Sequence, residues 1–187
     1  MSRRITSRTR ARKRAVDTIF EADQKGELTP EGLRQILSER LQVTAAQTPL
    51  PEYAIEVVEG VADRLYELDE LLVLHTTTRD FDRLPSTDRA ILRVGAWEIV
   101  WNEDVPSVTA IDEAVTLAKD ISTDESPGVV NAILDAVLKD AARVRETDDA
   151  LAAALAPRED IDLEDFGVGE EPVANPLDES SEQLNNP

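Results

Sequence analysis

The 187-residue chain contains no cysteine. That removes disulfides, thiolate metal ligands and cysteine nucleophiles, and it suits a reducing compartment. It contains one histidine, His75. A site built on two or three histidines is therefore impossible, and a catalytic triad could use only that residue. Seven scattered glycines form no G-x-G-x-x-G and no P-loop. Aromatics make up only 4% of residues, so the core must be mainly aliphatic. No apolar run approaches the roughly 20 residues of a membrane span. The basic N-terminus lacks the apolar segment of a secretory signal. A soluble, cytoplasmic protein without catalysis, metal or cofactor is expected.

Hydrophobic residues amount to 41%, enough for a real core, and the formal net charge is -19. That charge is unevenly placed. Residues 1–14 carry seven basic residues and no acid, for +7, whereas residues 158–187 carry -9, leaving -17 on residues 15–157. An anionic partner must therefore dock at the head, because the global field repels it. Charge alone also fits a solubilising basic tail.

Apolar residues recur at three- and four-residue steps, which predicts helices throughout and no strand. The first helix is expected from about Ser7 to Asp23, stopping at Lys25-Gly26. Thr29-Pro30 opens a second, to about Gln42. A stripe of Ala54, Ile55, Val58, Val61, Ala62, Leu65, Leu68 and Leu72 runs from Pro51 to about His75, with Gly60 as a candidate break. A short turn over Asp80–Leu84 precedes Ser86, which is expected to cap "TDRAILRVGAWEIVW". That segment is apolar on nearly every side, so it should lie buried in the middle of a bundle. Pro106 starts another helix, and Ser126-Pro127 opens the last, with Ala150–Ala156 as a candidate extension. Beyond Pro157 the chain is acidic and nearly free of aromatics, the signature of disorder. The expected architecture is all-α: a bundle of six or seven helices over residues 1–150, then an acidic, mostly disordered tail over 151–187.

Several side chains have specific expectations. His75 ends a helix, where a cation meets the dipole favourably. Asp112 and Glu113 are adjacent, so on a helix they diverge by about 100° and read as a solvated face. Arg93, in the buried helix, needs a carboxylate partner or an exit to solvent. Trp97 and Trp101 share one face and are expected to pack in the core. Asn131, inside an apolar helix, is expected to satisfy buried backbone groups. On the first helix, Arg8 and Arg12 fall on the side of Ala15, Val16 and Ile19, whereas Arg10, Lys13 and Arg14 fall on the other. Two arginines are not expected to continue a core stripe. The first one or two turns should then overhang the body, with basic residues encircling the tip. Their charge opposes the helix dipole by about 0.3–1 kcal/mol each. Four phosphate contacts there imply a slope of roughly -3 in log K against log salt.

Three stretches, "RARKRAVDTIFEAD", "TDRAILRVGAWEIVWNEDVPSVTAIDEAVTLAKDIS" and "SPGVVNAILDAVL", together resemble the NusB family of bacterial transcription antitermination factors. The resemblance covers roughly residues 8–140 and is weaker between 25 and 80. It implies two helical subdomains and binding to single-stranded boxA RNA of ribosomal RNA leaders. It also implies the ribosomal protein NusE as partner and assembly onto RNA polymerase. The matching RNA-facing positions are Arg8, Arg10, Arg12 and Lys13, with Glu125, Ser126 and Val129 at the start of the last helix. The matching NusE-facing positions are Phe20, Asp88 and Arg89. Phe20 fits ordinary core as well as an interface. Val129 stands where many members have Phe, which removes a stacking contact worth about 1–3 kcal/mol. Ala132 stands where many have Gly. The acidic extension is outside the family pattern, and folding back on the head would make it compete with RNA. Two other readings are a protein-only interaction module and the accessory domain of ribosomal RNA methyltransferases, which needs a methyl-donor domain downstream.

Overall fold

A computed structural model describes residues 6–42, 49–76 and 80–155. Residues 156–187 of the acidic tail, with their expected disorder and competition with RNA, lie outside these residues, whereas 151–155 continue the last helix. Helix α1 spans Ser7–Lys25. Thr6 caps it, its hydroxyl accepting from the Thr9 N–H at 3.0 Å. Gly26 ends it in the left-handed region at φ 71°, which glycine adopts without a Cβ penalty. Helix α2 spans Pro30–Gln42, and Thr29 accepts from the Gly32 N–H at 3.0 Å. The stripe from Pro51 to His75 forms two helices, α3 over Glu52–Asp63 and α4 over Leu65–His75, separated at Arg64 rather than at Gly60. One turn of 3-10 helix, Phe81–Arg83, leads to α5 over Ser86–Val100. Helices α6, Ser107–Ile121, and α7, Ser126–Leu155, complete the fold.

The hydroxyls of Ser86 and Ser126 do not cap their own helices. Ser86 Oγ accepts from Gln24 and Arg89 side chains, and Ser126 turns inward to Asp88. Each serine already lies inside its helix, so its side chain is free to join a neighbouring element.

Two subdomains share one core. Helices α1, α2 and α3 pack together, α5, α6 and α7 pack together, and α5 also packs on α1, α3 and α4. Every residue of α5 from Ala90 to Val100 is buried, as its all-round apolar pattern requires. Arg12 pairs with Glu98 and Asp23 with Arg89, so α1 and α5 are antiparallel. Arg93 finds its carboxylate in Asp69, at 2.7 and 3.0 Å. His75 ends α4 with Nε2 3.1 Å from Asp140. Trp97 is core, and Trp101 is partly buried with its indole N–H donating to Asp148 at 2.7 Å. Asn131 is exposed rather than buried, because α7 turns its Val130, Ile133 and Leu134 face inward instead. Among the described residues no helix is long and apolar enough to cross a membrane.

Gly60 lies within α3 because Trp97 packs onto it. A Cβ there would fall 2.2 Å from Trp97 Cε2. Gly60→Ala gains about 1 kcal/mol of helix propensity but overpacks the core by about 1–3 kcal/mol. A lower urea midpoint is expected; an unchanged or raised midpoint contradicts this packing.

Candidate nucleic-acid interface

The basic head does not overhang. Arg8 and Arg10 are exposed, and Lys13 and Arg14 are half-buried, but Arg12 is only 3% exposed. Its Nε–H donates to both carboxylate oxygens of Glu98, at 2.8 and 3.0 Å. Its Nη1 lies 3.4 Å from Glu113. Arg12 was expected at a projecting tip that faces RNA; the structure encloses its guanidinium in the bundle. The projection onto the core side holds. What it lacked was the pair of buried acids on α5 and α6. Glu113, expected on a solvated face, is buried, whereas its neighbour Asp112 is exposed.

Tyr53 of α3 completes this anchor. Its hydroxyl donates to Glu98, and its ring has Arg12 at 5.4 Å and Arg8 at 5.0 Å from the centroid, within cation–π reach. Burial holds the Glu98 carboxyl above the usual carboxylate range, against the pull of Arg12 and Tyr53. The Tyr53 hydroxyl is likewise pushed up, by burial and then by the adjacent Glu98 charge. Asn102 lies 3.4 Å from both Tyr53 Oη and Glu56. The exposed cations Arg8 and Arg10, with Lys13 and Arg14 beside them, thus stand on a fixed base.

At the other end of α5, Asp88 is 2% exposed and accepts from the hydroxyls of Ser122 and Ser126. Asp88 and Ser126, expected to face a protein and RNA, are both buried here. Together they tie the α6–α7 turn to the start of α5. Glu125 is exposed, and Val129 is half-buried against the core. Arg89 is spent internally, donating to Asp23 at 2.6 Å and to the carbonyls of Asp82 and Leu84. Phe20, one turn before Asp23, is partly buried against the core.

The two expected RNA elements do not adjoin. Glu98 marks the basic end of α5 and Asp88 the α7 end, ten residues or about 15 Å apart along the helix. Tyr53 and Glu98 escaped notice in the sequence, and Glu113 was noticed only as part of a solvated face. A lone acid inside the apolar run "GAWEIVW" was the available signal for Glu98.

The NusB family model matches residues 9–139. A protein of Bifidobacterium longum subsp. infantis, named transcription antitermination protein NusB, is 42% identical over 180 residues, covering 90% of this chain and 94% of its own. A Beutenbergia cavernae protein of the same name is 42% identical over 150 residues, covering 78% and 98%. Among solved structures, T. maritima NusB superposes with a TM-score of 0.59 at 26% identity, covering 76% of this chain and 98% of that one.

Arg12→Met removes the cation and leaves Glu98 and Glu113 buried without it. A loss of about 3–5 kcal/mol is expected, against less than about 0.5 kcal/mol for Arg10→Ala. Arg12 pulls the buried Glu98 carboxyl down against burial, so its removal raises Glu98 further and the variant's native state binds the proton more tightly than the parent's. The deficit of Arg12→Met relative to the parent should therefore shrink as pH falls through the Glu98 range. Urea unfolding at several pH values reads this, and a pH-independent deficit contradicts it.

Proposed function

The chain belongs to the NusB family, and we infer that it acts in transcription antitermination by binding boxA-type single-stranded RNA together with NusE. The pair then joins the antitermination assembly on RNA polymerase, in the cytoplasm. The observation that carries this reading is the group of exposed cations, Arg8 and Arg10 with half-buried Lys13, held rigidly on an otherwise acidic molecule of net charge -19. A preorganised cluster loses less conformational freedom on binding than a frayed helix end. Its cations neutralise phosphates while the rest of the surface repels them. The role is one of assembly, without chemistry at the bound strand.

Glu125 and Val129 extend the RNA path toward the start of α7. A strand must cross about 15 Å to reach both elements, which suits an extended single strand of several nucleotides. The NusE-facing surface is assigned to Phe20 and the neighbouring Arg89, with Asp88 beneath as support.

Removing Arg12 from the contact set leaves three head contacts, and at about -0.7 each they give a log K–log salt slope near -2. Titrating boxA RNA in the presence of NusE at several salt concentrations should show that slope. The triple variant Arg8→Ala, Arg10→Ala, Lys13→Ala should bind weakly and lose most of the salt dependence, with its unfolding midpoint unchanged. Parent-like RNA binding by the triple variant contradicts the assignment. Retained NusE capture with no RNA shift by the parent would favour a protein-only module.

A further inference from the structure

The buried face of α7 continues beyond the body that it packs against. Val130, Leu134, Val137 and Ala141 are buried at alternating four- and three-residue steps. The same steps give Val144, Asp148, Leu151 and Leu155. Helix α4 runs antiparallel to this part of α7, with His75 beside Asp140 and Arg64 3.4 Å from Asp148. Among the described residues the packing of α7 ends there, and residues 149–155 are all exposed. Leu151 is 57% exposed and Leu155 73%. A stripe in register with the core, at positions where no body remains, is a face built for another surface.

That stripe runs into a groove of about 250 Å³ between α4 and α7, lined by Leu71, Leu74, Trp101 and Val144. Leu74 is 61% exposed. Glu67, Glu70 and Asp148 edge the groove. The cations present are already matched: Arg143 donates to Asp140 at 2.9 Å, and Arg64 lies 3.3 Å from Glu67 and over the Trp101 ring. On α7, exposed Arg145 and Asp149 lie on one side of the stripe and exposed Arg143 on the other. The chain beyond Leu155 adds -9 over residues 158–187.

We propose that this groove and the projecting end of α7 form a docking site for a basic amphipathic helix of a partner protein, with aliphatic anchors at helical spacing and lysine or arginine on its flanks. Anchors of that spacing fit an apolar seam of i, i+3, i+4 and i+7 pitch. The cationic flanks meet the acidic edge of Glu67, Glu70 and Asp148. A second copy of this chain fits poorly, because it brings the same excess of acid, a second -9 segment and a total of -19.

The test uses the full chain and two peptides of about four turns, one patterned with leucine and lysine, the other with leucine and glutamate. Trp101 emission and peptide anisotropy are read near 0.15 M salt, where long-range attraction is screened beyond about 8 Å. The lysine peptide should bind and shift Trp101 emission, and the glutamate peptide should not. The double variant Leu151→Asp, Leu155→Asp, and separately Leu74→Ser, should weaken the lysine peptide at least about tenfold, or about 1.4 kcal/mol. All three residues are exposed, so folding is unaffected. The aspartates add negative charge and would strengthen a merely electrostatic association. Unchanged or tighter binding to these variants overturns the proposal, as does absence of binding to the parent. A parent that sediments as a dimer and becomes monomeric in the double variant also overturns it, by showing that a second copy covers the stripe.

Discussion

The structure turns on one buried charge. Arg12 places a guanidinium where the pattern of α1 calls for an aliphatic side chain, and an isolated cation there would cost several kcal/mol after relaxation. Glu98 from α5 and Glu113 from α6 offset that cost, and Tyr53 from α3 contributes its hydroxyl and its ring. Four helices therefore meet at one polar cluster. Because charged partners tolerate little displacement, the cluster sets the register of α1 against α5. That register decides which of the basic residues reach solvent.

The consequence for function is a separation of roles among residues that look alike. Arg8 and Arg10 are exposed and Lys13 half-buried, while Arg12 is enclosed and positions the turn that carries them. At the opposite end of α5, Asp88 and Ser126 similarly hold a turn in place, and Glu125 and Val129 on that turn face outward or rest against the core. Each end thus combines an inward polar support with an outward surface. Alanine substitution of a support and of a contact would both weaken binding, but only the former would lower the unfolding free energy.

The helices themselves were legible because an apolar period near 3.6, Pro at helix starts and Gly26 at a helix end are local signals. The α1 projection correctly turned Arg12 to the core side, whereas Arg8, one turn earlier, is exposed. It went astray in inferring an overhang, since the acids that receive Arg12 are 86 and 101 residues away in the chain and spacing alone does not pair them. Arg93 was recognised as needing a carboxylate, yet Glu98, five residues later in the same buried helix, poses the same question with the opposite sign. Asn131 was misplaced because its neighbours are apolar while its own position falls on the outer face of α7. The family resemblance supplied the site assignments, and it carried no signal that Arg12, Asp88 and Ser126 are buried.

A double-mutant cycle on Arg12 and Glu98 tests the anchor most directly, using Arg12→Met and Glu98→Gln, which keeps an acceptor for Tyr53. Each single change leaves a buried charge short of its partner, and the double change removes both. The double variant should therefore be more stable than the sum of the two single losses implies, by about 1–3 kcal/mol in urea unfolding. Additivity within about 0.5 kcal/mol would mean that the pair does not hold α1 on α5, and it would contradict this account of the basic head.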